Sequence, residues 1–406
     1  MTMVARSAPT DADEQLVVEA RDWTEWPVLA STWSLIARQC ERPTVFLTTE
    51  FVEIWLSIFG EQLAPKVYVF KTAEARPVAV CVVVRRIERQ GPFFLRRLYL
   101  NTAGEDERDS PCIEYNQLLC LPGYEQATGA ALRRHLVETE APWDEVHGAG
   151  LIDSSSLNAL RTSLRETREI DSVKQSYYVD LDDLRGSGAD FIDKLASRER
   201  TKVRQSLRKY GDIGPLGVDR AGDVSEALRF LDELAALHQA TWTSRGRPGA
   251  FASSKFYDYH RHLIRRCFAL DRIQLLRARA GDTTIGYHYN FVFAGFVHFY
   301  QCGYDYTLGE RLTPGIALHT LAIRHAFEHG LRGYEFMAGD IEYKRRLATH
   351  ARQMHWITWQ APTIKMKSFE LTRRAGHALR THTREVRSAV YKSLRGALPS
   401  GNEEVS

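Results

Sequence analysis

The sequence predicts a mixed α/β protein with two domains in tandem, each a mixed, mostly antiparallel sheet flanked by helices. The first observation is size: 406 residues, 44% of them hydrophobic, favour two or three domains over one. The second is order: in each half, short apolar strand patterns precede a helix and a further strand, which favours a mixed sheet over repeated βαβ winding. The third is a set of short sequence motifs, each of which occurs once in each half.

The first half shows these patterns after a polar, acidic start. Residues 1–20 predict a disordered leader, and residues 21–182 predict the first domain. Phe51, Trp55 and Phe59 are spaced four residues apart and predict one face of a helix. The remaining predicted elements are strands 66–70, 77–86, 93–99 and 115–120, helix 124–138, strand 143–147, helix 153–165 and strand 176–181. Gly186-Ser-Gly188 indicates the joint to the second domain.

The second half, residues 183–362, predicts a domain of the same kind. Its turns at 280–282 and 294–295 suit tight hairpins between strands. The predicted elements are helices 190–209, 224–241 and 256–268, strands 272–280, 284–293 and 296–304, helix 314–329, and strands 333–337 and 354–360. Residues 363–406 predict a basic helical tail.

Two short sequence motifs, found in both halves, support duplication of one domain. Gly129-Ala-Ala-Leu132 opens a predicted helix in the first half, and Gly315-Ile-Ala-Leu318 opens one in the second. The following Glu lies 16 residues after the glycine in one half and 20 after it in the other, a difference of about one helical turn. Residues 77–84 and 284–291 also correspond, each as a strand after a turn.

Charge and hydropathy restrict the cellular compartment of the protein and the kinds of partner it can have. The net charge of +3 does not demand nucleic acid as a partner. The longest apolar run, 78–84, is too short to cross a bilayer, and the start lacks the apolar core of a signal peptide. Six cysteines without a C-x-x-C motif predict reduced thiols and no metal site. We therefore expect a cytoplasmic protein.

The C-terminal tail is much more basic than the nearly neutral chain as a whole. Residues 363–398 hold nine Lys/Arg against two Glu, a local charge of +7. Such a basic, mildly amphipathic stretch predicts contact with the inner membrane surface or a synthase complex, or a helix packed on its own domain.

The most informative segment is 296–344. A strand runs into a loop and then into a helix that starts at Pro314, where the missing proline N–H costs no hydrogen bond. Gly315 allows a ligand close to the backbone, and the free N–H groups of a helix start can hold a phosphate. Arg311 precedes this start and adds positive charge. Gly315, Ile316, Ala317 and Arg311 are the candidate phosphate contacts.

Side-chain parity predicts a polar cleft beside this helix. In strand 284–293, Ile285, Tyr287, Tyr289, Phe291 and Phe293 share one face, and His288 and Asn290 lie on the other. In strand 296–304, parity assigns His298, Tyr300, Cys302 and Tyr304 to one face. A polar cluster with Asp340, Tyr343 and Lys344 follows the next strand, where sheet-edge sites tend to lie.

Several short sequence motifs, taken together and in their order, resemble those of a known family. Trp242-Thr-Ser-Arg245-Gly246, Gly303-Tyr-Asp305, Pro314-Gly315-Ile-Ala-Leu318, Gly339-Asp340 and Tyr343-Lys344 occur in the order typical of the FemAB-like branch of the GNAT acyltransferases. The subgroup that the sequence resembles is the CelD/BcsL type, which is associated with cellulose and exopolysaccharide. The resemblance covers about 190–360 well and 40–180 more loosely, and the basic segment 197–209 shares it.

The resemblance implies a tandem GNAT fold and acyl transfer, from acetyl-CoA or another acyl-CoA, to an amine or hydroxyl of a small molecule or glycan precursor. One departure concerns the phosphate loop, because Arg311-Leu-Thr-Pro-Gly315-Ile-Ala317 keeps one glycine of the usual Arg/Gln-x-x-Gly-x-Gly/Ala and shifts its spacing. Two alternatives follow: an aminoacyl-tRNA donor with a cell-wall precursor as acceptor, and a non-catalytic scaffold for polysaccharide synthesis.

We assign hypothetical roles in such an acyl transfer to individual residues. Asp340 and Asp305, then His298, are candidate bases. Tyr304 or Tyr343 would protonate the leaving sulfur, backbone N–H groups near 302–304 would polarise the carbonyl, and Lys344 would contact a phosphate or neutralise Asp340. The predicted acceptor contacts are Trp242, Arg245, His288, Asn290 and Glu335. No Gly-x-Ser-x-Gly motif occurs, which favours direct transfer without a covalent enzyme intermediate.

Overall fold

One mixed sheet of 13 strands runs through the described part of the protein. The structure, a computed structural model, describes residues 15–138, 142–309 and 311–375. Twelve strands follow the order β1-β2-β3-β4-β6-β13-β7-β12-β11-β10-β9-β8, and β5 pairs with β3. The strands are β1 Val17–Asp22, β2 Lys66–Lys71, β3 Pro77–Gln90, β4 Phe93–Leu100, β5 Leu119–Cys120, β6 Glu145–Ile152, β7 Arg168–Asp180, β8 Leu216–Arg220, β9 Ile273–Ala280, β10 Thr283–Phe293, β11 Phe296–Tyr304, β12 Gly333–Ala338 and β13 His350–Gln360.

Helices cover both faces of this sheet. Their starts follow ordinary capping: Asp223 and Ser253 accept hydrogen bonds from backbone N–H groups at the starts of α8 and α9. The helices are α1 Trp26–Gln39, α2 Thr49–Leu63, α3 Glu125–Glu138, α4 Ser155–Ser163, α5 Leu181–Ser187, α6 Phe191–Lys194, α7 Ser197–Gly211, α8 Val224–Ser244, α9 Ser254–Cys267, α10 Pro314–Glu328, α11 Glu342–Leu347, and α12 at residues 364–375.

The strand pattern confirms the tandem architecture. In the first half, β2, β3 and β4 are antiparallel neighbours and β4 pairs in parallel with β6. In the second half, β9, β10 and β11 repeat the antiparallel arrangement and β11 pairs in parallel with β12. The corresponding segments 77–84 and 284–291 lie in β3 and β10, which therefore occupy equivalent positions in the two halves.

The two halves exchange their last strands. β7, which ends the first half, pairs with β12 of the second half, and β13 pairs with β6 of the first. β7 and β13 also pair with each other over 11 residues, from His350↔Tyr178 to Gln360↔Arg168. A boundary at 182/183 therefore separates the halves along the chain but does not divide the sheet.

The core also extends across both halves. The largest cluster joins Trp33, Trp55 and Phe59 of the first half to Phe230 and Phe291 of the second. A second cluster lies on the α10 face of the second half and includes Val297, Phe299 and Phe336. Burial of these large side chains is the dominant stabilising contribution.

Several elements differ from the sequence-based expectation. The predicted leader, 1–20, overlaps β1, whose residues pair with β2; residues 1–14 lie outside the described residues. β8 was not predicted, because its sequence LGVDR has little strand propensity and only half-buried side chains. The predicted strand 115–120 is reduced to β5. β7 begins at Arg168 rather than near residue 176, since its first half is polar and pairs along β13.

The start of the basic tail packs on the first half. Lys365 Nζ donates to Asp144 Oδ2 and to the Phe94 carbonyl, both at 2.6 Å, and the Phe369 ring lies 5.5 Å from that of Phe93. The rest of the predicted tail, from residue 376, lies outside the described residues. In the ranges that are described, no helix has the length and apolar character needed to cross a membrane.

Candidate functional site

A wedge opens between two neighbouring strands of the second half. The parallel ladder of β11 and β12 comprises Phe296↔Gly333, Val297↔Tyr334 and His298↔Glu335, and no further pair follows. Residues 299–304 of β11 and 336–338 of β12 continue without pairing to each other, although their outer edges pair with β10 and β7. We call this gap the β11–β12 wedge. The Met337 and Ala338 carbonyls accept from Lys344 Nζ, and Ala338 N donates to Glu114. The remaining unpaired backbone groups of the wedge are available to an extended ligand.

The start of α10 lies above this wedge. A Cβ built on Gly315 would lie 3.4 Å from Tyr304 Cε2, so the first turn of α10 is close to the Tyr304 ring. Thr313 precedes the helix without a side-chain cap. The N–H groups of the first turn therefore lack a side-chain acceptor at the positive end of the helix dipole.

A basic helix lies beside this start. α7 carries six Lys/Arg and one Glu, and packs against α10. Lys209 Nζ donates to the Arg311 carbonyl at 2.9 Å, and Thr313 Oγ1 donates to Ser206 Oγ at 2.8 Å. Arg208 and Arg311 are exposed. An anion at the α10 start would therefore meet both amide donors and nearby positive charge.

The equivalent gap in the first half is filled by the chain itself. β4 and β6 pair in parallel only over Arg97–Tyr99 and Glu145–His147, as β11 and β12 do. Here, however, Asn116 N donates to the Gly150 carbonyl and Ile152 N donates to the Asn116 carbonyl, so the intervening chain occupies the gap. The helix start also differs, because Glu125 at the α3 start accepts from Gly123 N. The open wedge thus belongs to the second half.

A β-bulge corrects the predicted polar face of β11. Tyr289 pairs with Gln301 and Asn290 with Phe299, so Tyr300 is an extra residue and parity reverses there. His298 and Tyr300 face α9 and the first half, where they contact Tyr115 and His260. Cys302 and Tyr304 instead face α10. A second irregularity, beside Gly286, moves Ile285 to the α10 face, away from Tyr287.

The end of β12 and α11 closes one side of the wedge. Lys344 is buried, and its Nζ donates to the carbonyls of Met337 (3.2 Å) and Ala338 (2.8 Å). Burial lowers the pKa of Lys344, and Glu114 opposes this change. The ring of Tyr343 lies 5.2 Å from that of His319, in a stacked arrangement. Lys344 therefore stabilises the strand end that borders the wedge.

The three candidate bases are in different settings. Asp340 is exposed just after β12 and accepts from Tyr177 Oη at 2.9 Å. Asp305 accepts from Thr307 N (2.8 Å) and Thr307 Oγ1 (2.6 Å), so its carboxylate is engaged in its own turn. His298 is buried on the α9 side, and burial lowers its pKa to about 3. Of the three, Asp340 is the accessible carboxylate at the end of the wedge.

The predicted acceptor contacts separate into a pair at the surface, half-buried Trp242 and exposed Arg245, and a buried set. Trp242 and Arg245 end α8, with the Arg245 guanidinium 5.9 Å from the Trp242 ring. His288 and Asn290 are fully buried, and Asn290 Nδ2 donates to Gln274 Oε1 at 2.9 Å. Their burial does not favour direct contact with a substrate, so their predicted roles stay predictions.

Glu335 is also buried, at the point where the two halves meet. Tyr115 Oη donates to Glu335 Oε2 at 2.9 Å, and Arg352 Nη2 lies 2.7 Å from Oε1. Burial raises the pKa of Glu335 to about 7, against the opposing effect of Arg352. Next to it, Glu114 accepts from Ala338 N at 2.8 Å. The first half thus supplies contacts that hold β12 in place.

Several residues near the wedge were missed by sequence reasoning. Tyr177, Tyr115 and Glu114 come from the first half, and their approach depends on the strand exchange. His319 lies four residues after Gly315, one turn along the same helix, which was a usable signal for its position.

Comparisons with known proteins agree with this geometry. Residues 197–345 match the family model described as "Acetyltransferase (GNAT) domain", a range that includes α7, the wedge and the α10 start. No curated protein matches the chain.

Solved structures show the fold at low sequence identity. The crystal structure of FemX is similar with a TM-score of 0.54 and 10% identity, covering 84% of this chain and 98% of that one. A tandem GNAT protein from the clavulanic acid biosynthesis pathway gives a TM-score of 0.42 and 12% identity, covering 86% of this chain and 100% of that one. At these identities, the likeness to FemX supports the fold alone.

Proposed function

From the premise that this chain is a GNAT-type acyltransferase, we propose that it transfers an acyl group, acetyl in the simplest case, from acyl-CoA to an amine or hydroxyl. We place the acceptor among the small molecules or glycan precursors of cell-envelope or exopolysaccharide synthesis, as the sequence resemblance implies. The observation that carries the proposal is the open β11–β12 wedge beneath the uncapped start of α10.

The wedge suits the chemistry of an acyl-CoA. The pantetheine arm is extended and contains two amides, so it can pair with unpaired strand backbone as an added strand does. Its phosphates would lie at the α10 start, near Gly315, Ile316 and Ala317, with Arg208 and Arg311 close by. This arrangement provides a phosphate site despite the altered glycine spacing of the loop.

The reacting groups would meet at the end of β11. Backbone N–H groups around residues 302–304 would polarise the thioester carbonyl. Tyr304, at the inner side of the α10 start, would protonate the leaving sulfur. Asp340 would accept the proton of the acceptor, and Trp242 and Arg245 would contact the acceptor at the end of α8. Lys344 keeps its structural contacts with β12 in this scheme.

Calorimetric titration with acetyl-CoA tests the donor. We expect binding that Arg208→Ala and Arg311→Ala each weaken about tenfold, which corresponds to about 1.4 kcal/mol. Arg133→Ala is the matched control, since this half-exposed arginine lies on α3 of the first half and pairs with Glu166. Absence of heat with acetyl-CoA and longer acyl-CoAs, or equal effects of all three variants, would contradict the proposal.

The same titration distinguishes the alternative donor. Aminoacyl-tRNA would contact the basic residues through many phosphates, so its affinity would fall steeply with salt. Tight, salt-sensitive RNA binding without acetyl-CoA binding would favour the aminoacyl-tRNA alternative.

Replacement of Asp340 tests the proposed base. We expect Asp340→Asn to lower kcat at least 100-fold, measured as CoA thiol release from acetyl-CoA with a panel that includes glucosamine, because the amide cannot accept the proton. Asp305→Asn is the comparison, since its carboxylate caps a turn, and we expect a small loss of stability with kcat largely kept. Near-wild-type turnover of Asp340→Asn would remove Asp340 from the mechanism.

A further inference from the structure

Three side chains of the sheet and one of α10 form a closed ring of hydrogen-bond contacts between the helix and the sheet, which we call the His–Tyr ring. Tyr304 Oη lies 3.0 Å from His288 Nε2 and 3.4 Å from His319 Nε2. On the far side, Tyr334 Oη lies 3.1 Å from His319 Nδ1 and 3.3 Å from His288 Nδ1. Both nitrogens of each histidine and both tyrosine hydroxyls therefore belong to the ring.

The donors and acceptors of this ring balance when both histidines are neutral. A neutral imidazole has one N–H and one bare nitrogen, and each hydroxyl donates once and accepts once. Four donors thus meet four acceptors, and every bond can run in the same direction around the ring. The opposite direction is equally complete, with the other tautomer of each histidine.

The surroundings favour the neutral form. His288 and His319 are almost fully buried, and burial lowers the pKa of His319 to about 3 and that of His288 well below its ordinary value. The neighbouring His319 also lowers the pKa of His288, and the ammonium of Lys344 lowers the pKa of His319 in the same way. The histidines also contact the rings of Phe299, Phe336 and Tyr343. The Cys302 thiol and the Tyr306 ring lie beside Tyr304, and burial raises the pKa of that thiol to about 11.

Tyr304 is the member of the ring that reaches the wedge. His288, His319 and Tyr334 are at most 1% exposed, whereas Tyr304 is half-buried at the end of β11, against Gly315. We propose that the His–Tyr ring holds the Tyr304 hydroxyl as the proton donor to the leaving sulfur, with His288 and His319 as positioning residues. This inference rests on the proposed acyl transfer.

The ring geometry allows a balanced transfer of the Tyr304 proton to the leaving sulfur. Tyr304 Oη–H turns toward the wedge while the Nε2–H groups of His288 and His319 both donate to the Tyr304 oxygen, at the expense of one of the four ring bonds. As the thioester C–S bond breaks and its electron pair goes to sulfur, the Tyr304 proton passes to that sulfur. The phenolate left behind accepts the two N–H donors. The proton of the acceptor nitrogen or oxygen passes to Asp340 and from there to solvent, and Tyr304 regains a proton from solvent, so the enzyme is unchanged over one cycle.

The ring is tested first without any substrate. In protein with ¹⁵N-labelled histidine, the signals of His288 and His319 are identified as the pair that Tyr304→Phe shifts. We expect both imidazoles to stay neutral from pH 5 to 8, with ring N–H protons protected from exchange. Titration of either imidazole with a midpoint inside that range would overturn the ring, whatever the enzyme transfers.

Kinetics test the positioning role. With acetyl-CoA and the amine that gives the fastest CoA release, we expect Tyr304→Phe to lower kcat about 100-fold and to leave the KM for acetyl-CoA within about threefold. His319→Gln and His288→Gln should each lower kcat about tenfold. In the Tyr304→Phe background, the same histidine changes should have no further effect on kcat, because they act through the Tyr304 hydroxyl.

His260→Gln is the matched control for lost packing. His260 is equally buried and also lies between two tyrosine hydroxyls, Tyr289 at 3.3 Å and Tyr300 at 3.1 Å, but on the α9 face. We expect it to lower the unfolding midpoint as the ring variants do, while kcat is kept.

The outcomes separate the two proposals. Additive losses in the double variants, or equal kcat losses in His260→Gln, would overturn the positioning role. Full turnover of Tyr304→Phe would remove Tyr304 as the acid and overturn the inference, while acyl transfer itself would stand. Failure to bind acetyl-CoA would instead overturn the proposed function, even if the histidine signals show the ring.

Discussion

Among single residues, Glu335 illustrates how packing changes the chemistry of a side chain. It lies at the last paired position of β11 and β12, and receives Tyr115 from the first half and Arg352 from β13. Burial nevertheless dominates and raises the pKa of its carboxyl to about 7. The native protein therefore binds a proton at this carboxyl more tightly than the unfolded chain does.

This pKa predicts a specific pH dependence of stability. A raised carboxyl pKa stabilises the native state below the unfolded pKa of about 4.3, and the contribution is lost as pH rises through about 7. The loss is at most about 4 kcal/mol. Relative to Glu335→Gln, wild-type protein should therefore lose free energy of unfolding between pH 5 and 8, measured by urea denaturation.

Glu370→Gln is the control for this prediction. Burial opposes ionisation of Glu370, but hydrogen bonds from Arg373 and Arg168 outweigh it and hold the pKa at about 2. Its contribution is lost only as pH falls from about 4.3 toward 2, so its difference from wild type should be constant between pH 5 and 8. If the Glu335→Gln difference is equally constant, the raised pKa is wrong.

Among elements, α8 and β11 approach closely because of one glycine. A Cβ on Gly303 would lie 3.0 Å from the Leu234 carbonyl carbon, in the backbone of α8. In the same region, His238 Nδ1 donates to the Cys302 carbonyl at 3.1 Å. The contact places the end of α8, with Trp242, beside the end of the wedge.

Gly303→Ala should therefore push α8 away from β11. We expect a loss of about 1–3 kcal/mol in the free energy of unfolding, as for other overpacked sites, together with weaker acceptor binding. Gly186→Ala is the control, because a Cβ there meets no atom within 4 Å and alanine favours the helix α5. Equal stability of Gly303→Ala and wild type would show that α8 can shift at little cost.

In the whole molecule, the exchanged strands join the two halves into one sheet. β7 and β13 pair over their full 11 common positions, and the largest core cluster contains residues of both halves. Neither half has a complete sheet without a strand of the other.

We therefore expect the chain to unfold in one cooperative transition. Hydrogen exchange measured across a urea series should show β3, in the first half, and β10, in the second, losing protection at the same urea concentration. Met354→Ala, a change at a fully buried position of β13, should shift both together by about 2–5 kcal/mol. Separate transitions for β3 and β10 would contradict this coupling.

Much of the second half was predictable because its signals are local. Hairpin turns, the start of α10 at Pro314 and the order of strands 273–304 follow from short-range propensity and periodicity. The bulge at Tyr300 was not predictable, since one extra residue leaves the local pattern unchanged but reverses every later side chain. The polar face expected from parity was wrong for that reason.

By itself, the sequence determined the fold class, the duplicated strand order and the segment 296–344 as the place of the candidate site, because hydrophobic period and turn chemistry act over a few residues. Only the tertiary structure decided which strand pairs with which at the joint, and which side chains meet. β13 pairs with β6 and β7 rather than β12, and His319 of a helix meets His288 of a strand. Such contacts depend on packing between distant segments, which no local pattern specifies.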